Sequence, residues 1–154
     1  MNQQNYLAAI QKQQSLIRKL FTNRKRRSEV IDELTKERYD HLRGKFFNPD
    51  DHEAFSSAFR ENIFYICGVS AESNYINSDR VAVVVHCRYV WQQWTGTNGE
   101  SRTNALGYGE QSFLFKAEDN LDEIFAPLFV QKEKAVEKIN GIYKDVMTNY
   151  LKKG

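Results

Sequence analysis

With 154 residues the chain can bury roughly two thirds of the surface its unfolded state exposes, so a single domain without disulfide or metal staples is expected. Charged residues at 27% and aromatics at 13% mark a globular rather than a disordered chain, and 22 basic against 20 acidic side chains leave a formal charge of +2, too small by itself to demand a nucleic acid or a membrane. No apolar run approaches the roughly 18 residues of a membrane span, and the opening MNQQNYLAAIQKQQ lacks the basic-then-apolar order of a signal peptide, so a cytoplasmic protein with no membrane partner is expected.

Residues 1–43 contain neither Gly nor Pro. Apolar residues recur with helical spacing at Leu7, Ile10, Ile17 and Phe21, then at Ile31, Leu34 and Leu42. The stripe lapses over TNRKRRSE at 22–29, which divides a helical N-terminal region (1–45) into two helices. Ser28 is the expected cap of the second, with Glu29 and Asp32 in its first turn.

Asn48, Pro49, Asp50 and Asp51 read as a helix start: an N-cap, a proline whose φ suits the first position, and acids facing the dipole. A third helix is expected from there to about Asn62, although NIFYICGVS at 62–70 is rich in strand formers. Beyond the turn cluster Asn77-Ser78-Asp79, the run VAVVVHCRYVWQQW at 81–94 alternates as a strand does and is apolar on both faces over its first half. Asn98-Gly99 is a strong hairpin turn and 101–116 the returning strand. If those two residues form the loop, His86 lies against Gln111, Arg88 against Gly109, Tyr89 against Tyr108 and Trp91 against Leu106, with Leu114 sharing the face of Val83.

From Asp119 the period turns helical again, through Leu121, Ile124 and Phe125 and past Pro127. Val136, Ile139, Tyr143, Val146 and Tyr150 then follow alternating steps of three and four, the spacing of a helix-pairing seam, which Ala135, Ile142, Met147 and Leu151 widen. The expected architecture is therefore α+β: N-terminal helices, a central antiparallel β-hairpin or meander within 48–118, and a long C-terminal helix within 119–152.

Chemistry is hard to find in this pattern. His86 and Cys87 are adjacent on a strand and point to opposite faces, so they form no nucleophile–base pair. Asp50-Asp51-His52-Glu53 diverges around a helix and is not expected to hold a metal, and Gly68-Val69-Ser70 lacks the second glycine of a nucleophile elbow. Cys67 and Cys87 are expected to be free thiols. Neither a cofactor nor catalysis is expected.

The reading is a small intracellular protein that acts by protein–protein binding or assembly, and a homo-oligomer. Its contact surfaces are the seam residues Val136, Ile139, Tyr143, Val146 and Tyr150 and the hairpin aromatics Tyr89, Trp91, Trp94 and Tyr108. One alternative is a nucleic-acid partner gripped by Arg24, Lys25, Arg26 and Arg27. Another is a small-ligand or enzymatic pocket near His86.

Overall fold

The computed structural model describes residues 1–73, 80–95 and 102–153, of which 73, 91–95, 102–108 and 145–153 are described by their backbone alone. The expected turns at Asn77-Ser78-Asp79 and Asn98-Gly99 lie outside the described residues.

The architecture is α+β, as the periodicities imply. In chain order the elements are α1 (Gln3–Ile17), α2 (Arg24–Tyr39), β1 (Phe46–Phe47), β2 (Phe64–Ser73), β3 (Val81–Thr95), β4 (Arg102–Lys116), α3 (Leu121–Phe125), β5 (Phe129–Val130) and α4 (Lys132–Lys153). The strands form one antiparallel sheet in the order β4-β3-β2-β1-β5. The chain groups into two compact units: Met1–Gly44, Ile66–Cys87 and Ser112–Pro127 make the first, and Lys45–Tyr65, Arg88–Gln111 and Leu128–Gly154 the second.

In the first unit α1 buries Tyr6, Ile10 and Ile17, and α2 buries Ile31, Thr35, Arg38 and Tyr39. Polar groups inside this core are paired, as burial requires. The Thr35 hydroxyl donates to the Ile31 carbonyl (2.9 Å), so the Tyr6 hydroxyl is the donor in its 2.8 Å bond to Thr35 Oγ1. Burial pushes the Tyr6 phenol up to about 12. Arg38, only 7% exposed, donates to Asp122 Oδ2 at 2.7 Å and lies over the Tyr39 ring. On β2, the Ala71 N–H donates to Asp32 Oδ1 at 2.9 Å.

The two N-terminal helices form where expected, but the second starts earlier. Its cap is Asn23, whose side chain accepts from the Arg26 N–H, and not Ser28, which lies inside the helix. Residues 24–27 thus form its first turn, where no acid stands. Phe21, assigned by period to the α1 stripe, is 97% exposed, because α1 ends at Ile17.

In the second unit, β1 pairs with β2 (Phe46↔Tyr65, Phe47↔Phe64) and with β5 (Phe46↔Val130, Phe47↔Phe129). Phe47 and Phe64 stack at a centroid distance of 5.4 Å, both fully buried. The expected third helix is not formed: 48–62 is a run of turns with a single 3-10 turn at Ser57–Phe59. Asn48 is no helix cap; its amide donates to the carbonyls of Arg60 (3.0 Å) and Asn62 (2.8 Å) and pins the loop shut. Asp50 then takes φ 51°, a left-handed conformation that stops a right-handed helix at its second residue. Residues 119–131 likewise form no part of the long helix. They make the short α3, a 3-10 turn at Ala126–Leu128 and β5, because the Phe129–Val130 backbone finds β1.

Side-chain contacts between 86–89 and 109–112 lie one residue off the pairing expected from a two-residue Asn98-Gly99 turn. His86 meets Ser112, not Gln111; Arg88 meets Glu110, not Gly109; and the Tyr89 ring lies over Gly109, where an added Cβ would fall 2.5 Å from Tyr89 Cε1. A slip of one residue exchanges the faces of a strand. The buried face of β3 carries Val81, Val83, Val85 and Cys87, and the observed pairing puts Phe113 on the same side, with Ala117 buried just beyond β4. The other pairing would have buried Leu114, which is instead 69% exposed.

Candidate functional site

α4 carries the most conspicuous leftover apolar surface of the second unit. Ala135 is fully buried and Ile139 and Ile142 are half-buried, so these residues face the unit's own packing. Lys138 Nζ anchors the same side by donating to the Glu61 carbonyl at 3.0 Å. Val136 and Tyr143, one heptad apart, remain 41% and 55% exposed. The seam therefore splits: Ile139 turns inward, Val136 and Tyr143 turn outward. The side chains of Val146 and Tyr150 lie outside the described residues.

Beside Ile139 a cavity of about 710 Å³ opens, walled by Phe46, Ile63, Tyr65, Tyr89 and Val90. Its polar lining includes Arg88 and Glu110, whose charged ends are 3.8 Å apart and largely exposed, a weak pair. Tyr89 is held from behind by Phe64, ring centroids 5.0 Å apart, and by Phe59 at 6.4 Å. Of the hairpin aromatics expected to form a surface, Tyr89 is thus half-buried and lines this cavity; the side chains of Trp91, Trp94 and Tyr108 lie outside the described residues. The space left by the missing side chain of Gly109 is filled by Tyr89 itself. Phe46, Ile63 and Tyr65 were missed as wall residues. The one sequence signal was the adjacent aromatic pair Phe46-Phe47, whose strand pairing with Tyr65 and Phe64 shows only in the sheet.

His86 does not line this cavity. Its Nε2 is 2.7 Å from Ser70 Oγ and its Nδ1 3.3 Å from Ser112 Oγ, a cross-strand row over β2, β3 and β4. Each ring nitrogen has a hydroxyl partner, and among the described residues no carboxylate stands against either to orient the ring for proton abstraction from Ser70. The row satisfies a half-buried histidine. Cys67 and Cys87 are free thiols, and burial pushes the Cys87 thiol up, away from the reactive thiolate. Among the described residues no group of three His, Cys, Asp or Glu side chains is placed to hold a metal, and no helix is long and apolar enough to cross a membrane.

The basic run occupies the first turn of α2. Arg26 pairs with Glu29 (3.5 Å) and Glu33 (3.3 Å), and Arg27 donates to Gln13 Oε1 at 3.4 Å, while Arg24 and Lys25 are exposed. Comparison with family models, with curated proteins and with solved structures gives no match for this chain.

Proposed function

We propose that the chain is a binding and assembly protein that acts by contact, with the outer face of α4 as its principal surface and a second copy of α4 as the first partner to test. The observation behind this reading is the split seam. Val136 and Tyr143 stay exposed at heptad spacing on a helix whose adjoining face, with Ala135, Ile139 and Ile142, is already turned inward, and apolar residues so placed gain most by meeting another helix. Two copies related by a two-fold axis would each present the same pair to the other.

Light scattering coupled to size exclusion tests it. The parent chain runs as a dimer or larger, and the variant Val136→Glu/Tyr143→Glu runs at the 18.0 kDa of one chain, with unchanged circular dichroism. A parent chain that stays at 18.0 kDa through the micromolar range ends the self-assembly reading.

The cavity favours a second reading, a small apolar ligand. About 710 Å³ lies within the roughly 300–1,000 Å³ typical of ligand sites, and five apolar or aromatic side chains besides Ile139 wall it. Filling it by Val90→Trp should abolish binding of an apolar fluorophore; retained binding would dismiss the cavity as the site.

A further inference from the structure

The turn joining α1 and α2 exposes two large apolar side chains: Leu20 is 89% and Phe21 97% solvent-accessible. Such residues are usually drawn into a core or an interface, and a side-by-side pair held at a loop tip is a wedge without a host. Six cations flank it, Arg18 and Lys19 on one side and Arg24, Lys25, Arg26 and Arg27 on the other, with no acid between residues 18 and 28. Four of the six sit at the start of α2, where the helix dipole is positive and cations are disfavoured. Glu29 and Glu33 already offset Arg26, so an outside anion would relieve chiefly the exposed Arg24 and Lys25.

From this geometry we propose that the 18–27 tip docks on an anionic lipid surface, Leu20 and Phe21 entering the headgroup–acyl boundary while the surrounding cations engage lipid phosphates and carboxylates. Surface docking needs no membrane span, so the lack of one in the sequence does not oppose it. Two features separate a lipid surface from a nucleic acid as occupant. A bilayer accepts an aliphatic leucine beside a phenylalanine, whereas base stacking uses only the aromatic ring. A polybasic cluster next to an apolar wedge also supplies the two signals, charge and burial, that reversible membrane association requires.

Sedimentation with vesicles tests the proposal. The intact chain should bind vesicles of phosphatidylserine and phosphatidylcholine and not vesicles of phosphatidylcholine alone, with binding falling as salt is raised. Leu20→Ser/Phe21→Ser should weaken binding more than tenfold, since both side chains leave water in the bound state. Arg24→Gln/Lys25→Gln should weaken it by about fivefold for each charge removed. Both pairs of residues are exposed, so circular dichroism should not change. Phe21→Trp gives an independent readout: an emission blue shift on adding the anionic vesicles that the parent chain lacks. The proposal is overturned if the chain ignores anionic vesicles, or if Leu20→Ser/Phe21→Ser leaves binding intact. It is equally overturned if mixed-sequence nucleic acid is retained through the cations while the vesicles are not.

Discussion

Replacing Gly109 with alanine tests the β3–β4 register and the packing behind the cavity together. The new Cβ would stand 2.5 Å from Tyr89 Cε1, 2.7 Å from Cζ and 3.0 Å from the hydroxyl, so the ring must retreat by about 1 Å to regain van der Waals distance. Phe64 and Phe59 stand behind it, with ring centroids 5.0 and 6.4 Å away, and a tyrosine wedged between rings cannot swing freely. Overpacking of this kind costs about 1–3 kcal/mol. Against it stands the entropy that alanine removes from the unfolded chain, about 0.4–1 kcal/mol, available because Gly109 does not occupy the left-handed region. The net expectation is a loss of about 1–2 kcal/mol, read as a lowered urea midpoint at constant slope or a fall in Tm of roughly 2–8 °C. In a Tyr89→Ala background the obstacle is gone and the sign reverses: Gly109→Ala should stabilise by about 0.4–1 kcal/mol. Equal effects in both backgrounds, or a neutral Gly109→Ala in the parent, would show that Tyr89 does not cover Gly109 and that the register is wrong.

Alkaline titration should destabilise the first unit. The buried Tyr6 phenol, raised to about 12 from an ordinary 10.0, contributes stability that is present below pH 10 and lost as pH rises toward 12, up to about 3 kcal/mol, and burial raises Tyr39 in the same sense. Tyr6→Phe should flatten much of that fall in a series of urea melts, and an unchanged slope would refute the assignment. At the acid end Asp122 behaves oppositely: burial raises its carboxyl, but hydrogen bonds from His41 and Arg38 and their charges outweigh it and hold the carboxyl below its ordinary 3.8. Its contribution, screened because the carboxylate is partly open to solvent, is present above that value and disappears as pH falls through the folded pKa; Asp122→Asn should remove this part of the acid sensitivity. Asn48→Ala should cost about 1–3 kcal/mol by stranding the carbonyls of Arg60 and Asn62, yet leave the helical signal in circular dichroism unchanged; loss of helicity would restore the capping reading.

Local physics written into the sequence was enough for α1, α2, the paired strands β3 and β4, and the long α4. In each, apolar residues repeat with one period over many positions, and only one conformation puts them on a common face. It was not enough where a few letters serve two structures. Asn48-Pro49-Asp50 can open a helix or close a loop, and the choice fell to carbonyls at Arg60 and Asn62, more than ten residues away in sequence. The basic run was plain, but not its place in the first turn of α2 beside an exposed Leu20 and Phe21, since Phe21 fits the α1 stripe as well as it fits a tip. The seam of α4 was plain too, but not which side would be consumed internally: Ile139 and Val136 are equally apolar, and only the unit packed around Ala135 turns one inward and leaves the other in water. Register went the same way. Alternation leaves both faces of 81–85 apolar, and only the packed core shows Phe113 sharing the buried side with Val83 and Val85, in step with the contacts of His86 with Ser112 and Arg88 with Glu110.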